Sequence, residues 1–159
     1  VSDAEFVGYV RERMDWLRRV AHLLCPDWHD ADDLVQVTIT RLYLYWRRAR
    51  QADSVDAYVR TIMLRVFLGE RRARWRKRVL LVADPPEMVG EADPTTGVAV
   101  RTALAAVPAR QRATLVLRFY LDLSVAETAD ALRCSEGTVK SQTACGLATL
   151  RAHLTHQES

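Results

Sequence analysis

A chain of 159 residues has room for one ordinary domain or two small ones. Its 49% hydrophobic and 27% charged residues are an ordinary globular mixture, and only 6 Gly and 5 Pro disfavour an all-β fold, which needs many tight turns. No apolar run approaches a membrane span, and the acidic start Val1-Ser2-Asp3-Ala4-Glu5 lacks the order of a signal peptide, so the expected location is cytoplasmic, without membrane insertion.

The first predicted helix carries Phe6, Val10, Met14, Leu17, Ala21 and Leu24 at steps of three or four, and stops before Cys25-Pro26. The second carries Val35, Ile39, Leu42 and Trp46. Asp30 is its expected cap, with Asp32 and Asp33 in a first turn favoured by the helix dipole. The third starts near Ser54 or Asp56, buries Val59, Ile62, Met63, Val66 and Phe67, and runs into Arg71-Arg72-Ala73-Arg74-Trp75-Arg76-Lys77-Arg78. Three such helices can close a small core. Pro85-Pro86 cannot continue a helix, so Val82 to Thr96 reads as an extended acidic linker. A second helical unit begins near Gly97 with Val100, Leu104 and Val107, and stops at Pro108. Leu115, Val116 and Phe119 share the next helix. The expected fold class is therefore all-α: two small helical domains, 1–79 and 101–159, joined by a flexible acidic linker, 80–100.

The net charge of +3 conceals a strong segregation. Residues 41–79 hold 12 Lys/Arg against 3 Asp/Glu, while 1–40 and 80–100 each carry a net −4. A concentrated cationic segment points first to a polyanion, usually nucleic acid. The same segment holds Tyr43, Tyr45, Trp46, Tyr58, Phe67 and Trp75. Arginine forks bind phosphate and exposed rings stack on unpaired bases, a combination suited to melted DNA. Trp46 and Phe67 lie on apolar stripes and read as core instead.

Ser124 to Leu154 is the most specific stretch. Ser124-Val125-Ala126-Glu127 fits a capping box opening a short, Ala-rich helix. Arg133-Cys134-Ser135 is a turn, with Ser135 as the next N-cap. The following helix buries Val139, Leu147, Leu150 and Leu154, and shows Glu136, Thr138, Lys140, Ser141 and Gln142 early on its other face. This is the layout of a helix-turn-helix, with polar and basic groups placed where base edges and phosphates would be met. A solvated helical hairpin shares the pattern, so these residues alone leave both readings open.

Two features invite other chemistry. Asp27, His29, Asp30, Asp32 and Asp33 could hold a metal for phosphoester hydrolysis, but helix capping and a solvated face account for the same acids. No second ligand cluster or Gly-rich phosphate loop accompanies them. Cys25, Cys134 and Cys145 form no Cys-x-x-Cys pair and are odd in number, so they read as free thiols. No catalytic residue, metal or cofactor is assigned.

In order along the chain, these motifs resemble the extracytoplasmic-function (ECF) sigma factors of bacterial RNA polymerase, especially the short actinobacterial kind. His29-Asp30-Ala31-Asp32-Asp33-Leu34-Val35-Gln36 is similar to the family's polymerase-docking motif. Ala57-Tyr58-Val59-Arg60 and the basic helix after it resemble the region that melts and reads the −10 box. Pro108-Ala109-Arg110-Gln111-Arg112 resembles the opening of the C-terminal domain. Asp122 to Ala129 and Cys134-Ser135-Glu136-Gly137-Thr138-Val139-Lys140-Ser141 resemble the helix-turn-helix that reads the −35 box.

The resemblance implies a non-enzymatic subunit whose partners are core RNA polymerase, through the β′ clamp coiled coil and the β flap, and promoter DNA. An anti-sigma factor is a partner many members of the family have. It implies polymerase contacts from Asp33, Leu34, Gln36 and Arg41. For the −10 element it implies Arg47, Arg48, Arg50, Gln51, Tyr58, Arg60, Arg65, Arg71, Arg72, Arg74 and Arg76, with the loop from Arg47 to Ser54 capturing a flipped base. For the −35 element it implies Arg118, Glu136, Thr138, Lys140, Ser141 and Gln142. The chain departs from the pattern at Val37, where Glu is usual, and at Arg65, where Asn is common. Arg133 replaces a frequent turn glycine, removing the easy left-handed cap. Ala144-Cys145-Gly146 stands where an Arg usually follows a small or apolar residue, which is expected to weaken DNA contact, with Gly146 costing about 1 kcal/mol of helix stability relative to Ala. The rival reading is a helix-turn-helix regulator that binds duplex alone, often as a dimer; the docking motif and basic aromatic tract oppose it.

Overall fold

The computed structural model describes the backbone of residues 3–81 and 96–157 and the side chains of 3–69 and 97–156. Of the expected linker, 80–100, residues 82–95 lie outside the described residues, and its described ends, 80–81 and 96–100, are helical instead of extended. The side chains of Arg71, Arg72, Arg74 and Arg76 also lie outside the described residues. The secondary structure of the described residues is helical throughout, and the chain divides into two compact units.

The first unit is built from α1 (Asp3–Leu24) as far as His22, α2 (Trp28–Leu44), α3 (Trp46–Ala49) and α4 (Val55–Leu81). Leu17, Val20 and Ala21 of α1 are buried, as are Ala31, Leu34, Val35 and Leu42 of α2 and Val59, Met63, Val66 and Phe67 of α4. Each large side chain removed from water in this way contributes about 1.5–3 kcal/mol. Of the two expected starts for α4, Ser54 and Asp56, Ser54 is the cap: its Oγ accepts the amide of Ala57 at 3.1 Å.

Two expectations for α2 are corrected. The helix starts at Trp28, so Asp30 lies inside its first turn instead of capping it. Trp46 is not on α2: the helix ends at Leu44, and Trp46 opens the separate short α3. Thr38 takes a core position that hydropathy alone would not assign, its hydroxyl donating to the Leu34 carbonyl at 2.7 Å so that no polar group is left unpaired.

The second unit takes Leu23–Asp27, α5 (Thr96–Ala106), α6 (Ala109–Leu115), α7 (Val125–Leu132) and α8 (Glu136–Gln157). Leu104, Val107 and Leu115 form a buried cluster against Val100, Leu147 and Leu150. Arg112 is buried at the α5–α6 corner, where Nε and Nη2 donate to the carbonyls of Leu104 and Val107, each at 2.8 Å. α6 does not continue as a regular α-helix. Val116–Tyr120 forms a π-helical turn, closed by Leu121 N–H donating to the Val116 carbonyl at 3.0 Å. That extra residue rotates Phe119 outward, to 55% exposure, off the buried face expected from its spacing to Leu115 and Val116.

Candidate nucleic-acid interface

The interface of the second unit is set by three caps. The Ser124 capping box is complete: Glu127 N–H donates to Ser124 Oγ and Ser124 N–H to Glu127 Oε1, both at 3.0 Å. α7 ends in a Schellman arrangement, with Cys134 N–H donating to the Ala129 carbonyl at 3.0 Å and Arg133 N–H to the Asp130 carbonyl at 3.3 Å. This requires left-handed backbone at Arg133, where φ is 54° and ψ 51°. Arg110 Nη2 donates to the Leu132 carbonyl at 2.9 Å, so a second arginine closes the same helix end. Ser135 Oγ then accepts the Thr138 amide at 3.1 Å and starts α8.

These caps fix the angle between α7 and α8 and turn one face of α8 outward. Val139 is fully buried, and Glu136, Lys140 and Ser141 are exposed over the first turns. The exposed strip continues through Gly137, Ala144, Cys145 and Ala148, at the spacing of one helix face. Ala144 and Cys145 therefore flank the groups expected to touch DNA, at the position where the resemblance placed a DNA contact without its usual Arg, while Gly146 is buried. The other three residues expected at the −35 box are placed differently. Thr138 is half-buried, with its hydroxyl 2.9 Å from Ser135 Oγ. Gln142 is half-buried, and its Oε1 has no hydrogen-bond partner among the described residues. Arg118 lies against Phe119, its guanidinium carbon 5.9 Å from the ring centroid, and donates to the Leu123 carbonyl, bracing the turn into α7.

Gly146 is explained by packing. A Cβ there would sit 3.1 Å from both Cγ and Cδ1 of Leu115, which is itself buried. The glycine lets α8 cross α6 closely, so its intrinsic helix penalty is offset by the contact it permits.

In the first unit, Arg47, Arg48, Arg50 and Gln51 are exposed on α3 and the loop after it. Arg50 Nη2 lies 3.2 Å from Glu5 Oε2. On α4, Tyr58 is half-buried and Arg65 exposed on one side of the helix, while Arg60 is half-buried on another, its Nε buried and without a hydrogen-bond partner among the described residues. At 100° per residue these two arginines do not share a face. Trp46 is buried against Phe6 and Tyr9, with ring centroids 5.6 Å away in each case, and Phe67 is buried too, so both are core, as expected. Tyr43 and Tyr45 are exposed. Along α2, Asp33 and Gln36 face outward and Arg41 is half-buried, but Leu34 is only 5% exposed, which withdraws it from a docking surface.

Among the described residues no three His, Cys, Asp or Glu side chains converge as metal ligands, and no helix is long and apolar enough to cross a membrane. Cys25 is buried, Cys134 half-buried and Cys145 exposed, and none of the three is in a disulfide.

A capped helix-turn-helix in one unit and exposed arginines at 47, 48, 50 and 65 in the other fit a promoter-recognising transcription factor of the sigma-70 class. Models of that class match the chain twice: Sigma-70 region 2 over residues 9–77 and Sigma-70, region 4 over 97–150. The RNA polymerase sigma-E factor of Streptomyces coelicolor is 40% identical over 157 residues, covering 94% of this chain and 86% of that protein. The ECF RNA polymerase sigma factor SigM of Mycobacterium tuberculosis is 32% identical over 135 residues, covering 84% and 69%. The sigma factor RpoE of Bartonella quintana, solved in complex with the anti-sigma factor NepR, superposes with a TM-score of 0.74 at 24% identity, covering 95% of this chain and 97% of that one. The chain belongs to the extracytoplasmic-function sigma factors of RNA polymerase. It binds core polymerase and promoter DNA to initiate transcription.

Proposed function

We propose that the two units divide promoter reading between them, with domains at 1–79 and 101–159. In the first, exposed Arg47, Arg48, Arg50 and Gln51 engage the −10 strand, supported by Tyr58 and Arg65, while Asp33 and Gln36 dock α2 on the β′ clamp coiled coil. In the second, Lys140 and Ser141 meet the −35 box in the major groove, with Glu136 available to accept from a cytosine amino group. The observation that carries this reading is the outward strip of α8, held at its start by Ser135 and backed by buried Val139. The role is one of binding: the protein holds polymerase, duplex and separated strand together in the cytoplasm and leaves the chemistry to the polymerase. An anti-sigma factor fits the same reading as a competitor for these surfaces, as NepR is found with RpoE.

The test is reconstituted transcription by core polymerase on promoters carrying single-base changes in each box. Arg47→Ala with Arg48→Ala changes the response to −10 substitutions and leaves the −35 response intact. Lys140→Ala does the reverse, and lowers the salt dependence of promoter-duplex binding by about 0.9 in log–log slope, one phosphate contact's worth. A Lys140→Ala protein with unchanged affinity and slope would remove that residue from the interface.

A further inference from the structure

Resting on the base-capture reading of the Arg47–Ser54 loop, we propose that Glu5 of α1 is a positioning residue for −10 recognition, acting through Arg50. α1 grips the loop at three places. Before it, Phe6 and Tyr9 pack on Trp46. After it, Asp56 accepts the Tyr9 hydroxyl at 2.6 Å and pairs with Arg13 at 2.8 Å. Within it, Glu5 holds Arg50 at 3.2 Å. Glu5, Phe6, Tyr9 and Arg13 fall at i, i+1, i+4 and i+8, one face of the helix.

The three grips differ in kind. Trp46 is buried and Asp56 takes two partners, so the outer pair secures the ends of the loop as part of the fold. Between them, Arg50 N–H donates to the Trp46 carbonyl at 2.9 Å and Gln51 N–H to the Arg48 carbonyl at 3.2 Å, which already settles the backbone. The Glu5–Arg50 pair adds little to stability, because its side chains are 52% and 37% exposed. What it does restrict is the long, rotamer-rich Arg50 side chain. The ion-pair contact is made through Nη2, and a guanidinium has five donors, so others stay available to a phosphate or base edge. A pre-aimed guanidinium loses less freedom on binding and discriminates better between bases.

The experiment uses the full chain assembled with core polymerase. The probe is a pool of single-stranded DNA oligonucleotides randomised over six consecutive positions, with the retained molecules sequenced. Glu5→Ala is expected to reduce the preferred base's enrichment about two- to five-fold, the range of an exposed ion pair. Glu5→Gln, which keeps an acceptor for Arg50, retains most of that enrichment. Thermal stability and the −35 response stay unchanged in both, which a purely structural role for Glu5 would not predict. If both variants instead raise total retention and steepen its salt dependence, Glu5 competes with DNA for Arg50 and the positioning role is overturned. Loss of enrichment in Arg50→Ala with none in Glu5→Ala overturns the role of Glu5 alone. Equal enrichment in wild type and Arg50→Ala overturns the capture reading itself, and the role of Glu5 with it.

Discussion

Gly146→Ala sets two opposed effects against each other on α8. In an exposed helix the substitution would stabilise by about 1 kcal/mol. In this helix the new Cβ would stand 3.1 Å from Leu115 Cγ and Cδ1 and 3.4 Å from Cδ2, tighter than ordinary carbon contact. Leu115 is 4% exposed and packed among Leu104, Val107, Leu147 and Leu150, so it has little room to retreat. Overpacking of this kind costs about 1–3 kcal/mol, leaving a net loss of about 1 kcal/mol. For a domain of this size that lowers the melting temperature by about 4–8 °C. The assay is thermal unfolding followed by far-ultraviolet circular dichroism, with Leu115→Ala as the second arm of a double-mutant cycle. Leu115→Ala alone costs about 2–5 kcal/mol. In that background the clashing carbons are gone, and Gly146→Ala should now stabilise by about 1 kcal/mol, a reversal of sign. A higher melting temperature for Gly146→Ala in the wild-type background would show that Leu115 yields freely and would refute the close-crossing account.

Arg133→Gly relieves a left-handed non-glycine residue and should stabilise the second unit by about 1 kcal/mol in chemical denaturation; a loss of stability would show that the Arg133 side chain contributes more than its backbone costs. Tyr9→Phe keeps the ring on Trp46 but removes the hydrogen bond to Asp56, and should cost about 0.5–1.5 kcal/mol in the same assay. Burial, then the hydrogen bond and the charge of Asp56, raise the Tyr9 hydroxyl above the ordinary tyrosine value of 10.0. A raised folded-state value means that this stabilisation is fully present below about pH 10 and is lost as pH rises through the folded value. Wild-type stability should therefore fall more steeply than that of Tyr9→Phe in alkaline solution, and parallel curves would contradict the assignment.

The parts of the fold legible in the sequence are those where a local chemical signal and the tertiary structure agree. Ser124 with Glu127, and Ser135, each announce a helix start, and each cap is formed; Ser54 or Asp56 marks the start of α4, and Ser54 is its cap. The apolar spacing of α1 leads correctly to buried Leu17 and Ala21. The left-handed backbone at Arg133 agrees with the resemblance, which places a frequent turn glycine there. Tertiary context decided the rest. The break at Tyr45 that moves Trp46 to α3 has no glycine or proline to mark it. The π-helical turn that exposes Phe119 has no composition of its own. Gly146 reads as a helix penalty until Leu115 is placed beside it. At the interface, residue type indicated Lys140, Ser141, Thr138, Gln142 and Arg118 alike, but not that Lys140 and Ser141 are exposed while the other three are half-buried, with Thr138 and Arg118 already bonded within the fold.

The most direct test of promoter-specific initiation is in vitro transcription by bacterial core polymerase on a genomic promoter library, with and without the full chain, read by sequencing of start sites. New start sites sharing two upstream boxes, each responding only to substitutions in its own unit, are the predicted result. Failure to bind core polymerase, together with start sites that do not change when the chain is added, would contradict it.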